Sequence, residues 1–173
     1  MHPRAAELIE TLGLQPHPEG GYFAQVYRSA STVTPDDSRD VRAALTAIYF
    51  LLVEGQISAW HRVRSDEVWH FYEGEPLALT WADADGTNTA TQLLGPVDTG
   101  RGVAGTDQRP VVVVPAGCWQ TARLQKARPL GAYTLVGCSV APGFEYEDFE
   151  LVAAGSVIGE TLRLCLLGSA HGS

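Results

Sequence analysis

A histidine and a glutamate on either side of one tight turn, His61 and Glu67, are the residues of this chain best placed to do chemistry. If the flanking strands pair around Arg64 to Asp66, both side chains can enter one cavity, which suits a proton relay or a metal. His61 alternates with Ala59 and Val63, while Trp60 and Arg62 take the other face, so the imidazole looks into an otherwise apolar interior. An unpaired polar group there is costly and calls for a partner or a ligand. Glu67 is in phase with Trp69 and Phe71, and a buried carboxylate needs pairing as well. Gln120 follows the turn Pro115-Ala116-Gly117 in phase with Cys118, Ala122 and Leu124, as a polar group of a cavity wall or as an ordinary core hydrogen bonder. Alternation puts His70 on the face opposite Glu67, with Val68 and Tyr72, unless a bulge intervenes. Trp69 and Phe71 offer rings that can stack on a ligand, as do Trp60 and Trp119, and Tyr133, Tyr49 and Tyr146 offer phenols. Arg28 and Arg62 have the fork that grips a carboxylate or phosphate. The acidic set Glu145, Glu147, Asp148 and Glu150 lacks the glycine and alternating oxygens of a calcium loop and reads as a solvated strand exit.

The elements that must carry these residues are mostly strands. Eighteen glycines and ten prolines, spread along the 173 residues, cut the chain into short segments. Strand-length runs rich in Val, Tyr, Trp, Phe and Thr cover 21–28, 43–53, 58–63, 67–72, 77–82, 89–94, 111–114, 119–124 and 131–140. One helix is expected, from about Pro3 to Leu12, because Ala5, Leu8, Ile9 and Leu12 keep helical spacing and Gly13 follows them. The pattern is that of an antiparallel sandwich or barrel, and a small barrel can enclose one ligand cavity.

Composition narrows the partners. Twelve Lys and Arg against twenty Asp and Glu give a net charge of −8, the wrong sign for nucleic acid or an anionic membrane. The longest apolar stretch, Ala43 to Val53, is too short to span a bilayer as a helix, and the first ten residues do not read as a signal peptide, so a cytoplasmic protein is expected. Cys118, Cys138 and Cys165 form no Cys-x-x-Cys pair and read as small buried residues.

Two segments carry a family resemblance. Gly55, His61, Glu67 and Gly74 fall at the spacing of the first motif of the cupin superfamily, G-x5-H-x-H-x3or4-E-x6-G, with Val63 at the second His. Pro115 and Gly117 match the second motif, where Gln120 replaces a His and Leu124 an Asn. With Pro18-Glu19-Gly20-Gly21-Tyr22-Phe23 and Ala141-Pro142-Gly143-Phe144-Glu145, the set resembles a subgroup of small cupins similar in fold to the dTDP-sugar 3,5-epimerases. The resemblance implies an all-β protein: a single cupin domain over 1–173, its core at about 8–152, built as a jelly-roll (double-stranded β-helix) barrel with a short N-terminal helix. It also implies a homodimer, in which the strand at 21–28 can add to a partner's sheet edge. His61 would inherit the epimerase general base, while Gly20 or Gly21 stands where the epimerases carry an Arg that holds nucleotide phosphates.

Three readings remain open at this stage. In the first, His61 with Glu67 or a Tyr moves a proton next to a carbonyl of a small substrate, as in an epimerase, isomerase or lyase. In the second, His61, Glu67 and Gln120, with His70, hold one divalent Fe, Mn, Ni or Zn. In the third the barrel binds a sugar or metabolite without turning it over: His61 and Gln120 hydrogen-bond it, Trp60, Trp69, Trp119 and Phe71 stack on it, and His70 and Tyr133 are further contacts.

Overall fold

In the computed structural model, residues 1–97, 107–125 and 131–168 are described. Helix α1 (Pro3–Thr11) starts with Pro at its first position and is capped by His2, whose Nδ1 accepts from the Arg4 N–H at 3.1 Å. Strands follow in the order β1 (Gln15–Pro16), β2 (Tyr22–Arg28), β3 (Thr32–Val33), β4 (Arg42–Ala43), β5 (Thr46–Val53), β6 (Ile57–Val63) and β7 (Asp66–Gly74). The rest are β8 (Leu77–Ala82), β9 (Thr89–Leu94), β10 (Gln108–Arg109), β11 (Val111–Val114), β12 (Trp119–Leu124), β13 (Tyr133–Ala141) and β14 (Phe149–Leu151), then helix α2 (Val157–Gly168).

Two six-stranded sheets pack face to face, in the orders β1-β2-β5-β13-β7-β11 and β10-β9-β8-β12-β6-β14, as expected of a jelly roll. Alternation along each strand decides what lies between them. From the first sheet Phe50, Trp69, Val114 and Val136 point inward and meet Leu77, Leu79, Leu94 and Ala122 of the second in one buried cluster. The outer face of the first sheet is closed at one end by α1, whose Ala5 and Leu8 pack with Leu14, Leu51 and Leu135. A small pair, β3 with β4, stands apart.

Two expectations are corrected. The segment 43–53 is broken after Ala43, because Arg42 and Ala43 pair with Val33 and Thr32, and the Ala43 carbonyl accepts from Gly143 at 2.7 Å. The chain also has a second helix, where only one was expected. Gly159 and the β-branched Val157, Ile158 and Thr161 weaken the helical signal of α2, yet Ile158 and Leu162 sit one turn apart and pack against Trp60, Ala82 and Trp119. The helix thereby covers the outer face of the second sheet. Cys165 lies where side chains are outside the described residues. The strand expected to extend a partner's sheet, β2, pairs with this chain's own β5, from Tyr22 opposite Leu51 to Arg28 opposite Thr46. No helix among the described residues is long and apolar enough to cross a membrane.

Candidate active site

His61 and Glu67 do face one cavity, and the group that meets His61 there is a third residue, Glu19. The loop before β2 delivers it. His17 N–H donates to the Gly21 carbonyl and Gly20 N–H to the His17 carbonyl, both at 3.0 Å, which folds His17 to Gly21 into a tight turn. The Glu19 carbonyl then accepts from the Ala59 N–H at 2.7 Å, tying the turn to β6 two residues from His61. Gly20 (φ 104°) and Gly21 (φ 73°) both sit in the left-handed region, and a Cβ on Gly20 would run into the Ile57 carbonyl oxygen. Only glycine lets the turn lie this close to β6. We expect Gly20→Ala to cost more than the ~1–2 kcal/mol of a left-handed alanine, lowering the melting temperature by at least about 4 °C. Melting within a degree of the parent would show that the turn can move aside.

The hydrogen bonds at Glu19 fix where a proton sits. His61 Nδ1 lies 2.8 Å from the Ala59 carbonyl, which can only accept, so Nδ1 carries the hydrogen, and with burial holding the ring neutral Nε2 bears a lone pair. His17 Nδ1 accepts from the Glu19 backbone N–H at 3.3 Å, so it too presents a lone pair. Glu19 Oε2 stands 3.3 Å from the lone pair of His61 Nε2 and 3.5 Å from His17 Nδ1, whose own lone pair is engaged by the Glu19 N–H. An anionic oxygen there would be repelled by the His61 lone pair, whereas a protonated one donates to it. Glu19 Oε1 accepts from Ser58 Oγ at 2.9 Å. Burial drives the same assignment: it pushes the Glu19 carboxyl up to about 8, against the Ser58 hydroxyl, which lowers it. Burial likewise lowers His61, against the Glu67 charge and the Ala59 carbonyl, and takes His17 down to about 4 with help from His61. Glu19 and His61 therefore share one proton as an acid and a base.

Glu67 is held differently. Trp69 Nε1–H donates to Gln120 Oε1 at 3.1 Å, and since an indole N–H only donates, the amide oxygen must face Trp69 and the NH2 must face Glu67. Gln120 Nε2 donates to Glu67 Oε2 at 2.5 Å. Burial raises the Glu67 carboxyl nonetheless, opposed by His61, Gln120 and Cys138 and reinforced by Glu19. The cavity between these groups measures about 90 Å³. Its remaining wall is mostly apolar, with Phe23, Phe50, Phe144 and Phe149 the largest parts, Gln25 and Thr46 its polar members and Tyr146 at the exposed rim.

Comparison with known proteins gives this architecture a family. Residues 6–152 match the family described as "Cupin superfamily (DUF985)". The chain is a cupin. A protein from Shewanella oneidensis is 34% identical with TM-score 0.73 over 86% of this chain and 84% of that one, and a hypothetical protein from Leishmania major is 32% identical with TM-score 0.76 over 96% and 93%. At the level of fold alone, oxalate decarboxylase from Bacillus subtilis is 14% identical with TM-score 0.52, covering 79% of this chain and 29% of that one. No curated protein matches the sequence.

Within the cupin frame the positions read from sequence separate into groups. His61 and Glu67 line the cavity, and Gln120 reaches it only through Glu67. Trp69 is 1% exposed, edge-on to Phe50 and outside the cavity wall, so it holds Gln120 rather than stacking on a ligand. Phe71 packs against the central cluster away from the cavity. His70 lies on the outer face, between Val111 and Gly137 of the neighbouring strands, as strict alternation requires. Tyr133 is also outside, where its hydroxyl donates to Glu73 at 2.9 Å beside α1. Of the other phenols, Tyr49 packs edge-on against Tyr72, while Tyr146 joins the cavity rim. Arg28 and Arg62 are paired with Glu145 and Glu150, and Asp148, expected at a solvated exit, is buried against Arg42.

The donors do not suit the divalent ion of the second reading. Val63 stands at the second imidazole, the Gln120 oxygen that could ligate is taken by Trp69, and its NH2 faces the carboxylate. Among the described residues no group of three or more His, Cys, Asp or Glu side chains is arranged so that it could hold a metal ion. Sequence reasoning passed over His17 and Glu19. The available signal was a carboxylate set between a proline and two consecutive glycines, a turn that brings a side chain against a neighbouring strand.

Proposed function

We propose that this cupin is an acid–base enzyme that moves a proton at a small substrate, next to a carbonyl, in the manner of an isomerase, epimerase or lyase. The observation that carries the reading is Glu19 Oε2 set between two imidazole nitrogens, 3.3 Å from His61 Nε2 and 3.5 Å from His17 Nδ1, in a largely apolar cavity. His61 Nε2 accepts a proton from the substrate as Glu19 withdraws its own hydrogen bond, and Glu19 or Glu67 returns a proton to the other side. Neighbouring groups whose surroundings push their titrations apart are the usual arrangement for such transfers. The cavity is smaller than a cavity of about 150 Å³ that holds one benzene, so the reacting part of the substrate has only a few heavy atoms. A nucleotide would lie outside it.

Proton transfer is testable before the full reaction is known. In D2O, the protein is incubated with small hydroxy-, keto- and amino-carbonyl compounds and solvent deuterium is followed by NMR. We expect exchange in at least one class, loss of at least about 100-fold with His61→Asn and with Glu19→Gln, and an unchanged rate after dialysis against EDTA. Exchange that survives His61→Asn, or that disappears with the chelator, overturns the reading.

A further inference from the structure

The charge inside the cavity is one-sided. Its described lining contains two carboxyl groups, Glu19 and Glu67, two imidazoles kept neutral by burial, and no Lys or Arg. Arginines of the surrounding strands are paired with carboxylates that do not line it: Arg42 with Asp148, Arg28 with Glu145 and Arg62 with Glu150. An anionic ligand would enter with no positive partner and meet two acids.

The walls favour the opposite sign. Phe144 and Tyr146 stand at 80° with centroids 5.2 Å apart, Tyr146 and Phe149 at 85° and 6.3 Å, and Phe144 and Phe149 at 64° and 5.9 Å. Three steeply inclined rings form the corner of a box, and ring faces attract a desolvated cation. Phe149 lies over His61, with centroids 5.5 Å apart, so the corner abuts the acid–base pair.

We infer that the ligand of this cavity is a small organic cation, an alkylammonium or quaternary ammonium group, seated in the Phe144, Tyr146 and Phe149 corner with Glu19 as its counter-charge. The inference rests on the cavity being the ligand site proposed above, not on its catalysis. Seating a cation beside Glu19 favours the carboxylate, so binding is coupled to release of the Glu19 proton. The titratable groups facing Glu19 are His17 from its own turn, His61 from β6 and Glu67 from β7; Cys138 of β13 and Tyr146 complete the cavity's set.

The test uses three probes of similar shape, tetramethylammonium, tert-butanol and pivalate, in titration calorimetry at pH 7 in two buffers of different ionisation enthalpy. NMR of the His61 and His17 ring nitrogens reports the location. We expect tetramethylammonium to bind at least about tenfold tighter than tert-butanol, to shift both rings and to release protons, and pivalate to bind weakest. Glu19→Gln should remove the proton release and weaken tetramethylammonium about tenfold, leaving tert-butanol within about twofold. If tert-butanol or pivalate binds as well as tetramethylammonium at the His61 ring, the cation class is overturned while the ligand site stands. If none of the three shifts the His61 or His17 signals, both readings fall.

Discussion

Asp148→Ala is expected to melt about 6 °C or more below the parent protein. Asp148 is 6% exposed and accepts both arms of an equally buried guanidinium, Arg42 Nε at 2.9 Å and Nη2 at 3.1 Å, with Arg39 Nη1 at 3.3 Å as a third donor. Removing the carboxylate leaves the buried Arg42 only the exposed Glu147 at 3.6 Å and backbone carbonyls, a loss of ~3–5 kcal/mol for breaking a buried pair, and a chain of this length loses roughly 2–4 °C per kcal/mol. The pair of charges need not be worth that much, because desolvating both offsets much of their attraction. The double variant Arg42→Met/Asp148→Leu should therefore recover most of the loss. Calorimetric melting of the parent, the single and the double variants checks this. A single variant within about 2 °C of the parent, or a double variant no better than the single, would mean that Arg42 finds water when its partner is gone. The position matters beyond stability, since Asp148 sits between Tyr146 and Phe149 and fixes the segment from which both rings line the cavity.

The same residue shows what could be read from sequence and what could not. Strand positions were legible because alternation is a local property: His61 with Val63, and Glu67 with Trp69, come out on the inner faces as their parity demands. Gln120 was legible as a polar group of the wall, but its orientation was not, because that is set by an indole donor 51 residues away. Asp148 looked like one acid in an exposed run, and its burial follows from Arg42, 106 residues earlier. Glu19 was hidden for the same reason, since its partners Ser58 and His61 come from a strand beyond four intervening elements. Helix α2 escaped because residues with poor intrinsic helix propensity are held helical by tertiary burial of Leu162. The core of the fold followed period and turn chemistry; the site depends on long-range hydrogen bonds that period does not encode.

Glu19→Gln should make the protein more stable already at pH 6, by a margin that widens as the pH rises to about 8. Free glutamate titrates near 4.5, whereas the buried Glu19 holds its proton to about 8. Between these values the folded chain binds a proton that the unfolded chain has released, so stability falls as pH rises, and the loss is complete above about 8. Glu67, raised by burial, adds to this slope. His17 and His61, lowered by burial, oppose it, because the unfolded chain binds their protons; His17 does so from about 4 up to the ordinary histidine value of 6.5. Above that value the histidines no longer matter and the carboxyls act alone. From pH 6.5 to 8 Glu19 contributes a loss of about 2 kcal/mol, or roughly 4–8 °C of melting temperature. The glutamine amide reproduces the protonated acid: its oxygen accepts from Ser58 and its NH2 donates to the His61 lone pair. Melting curves from pH 6 to 8.5 should thus decline in the parent and flatten by about half or more in the variant. Parallel curves would mean that Glu19 is already ionised at pH 6, and the shared proton assigned to it and His61 would have to be given up.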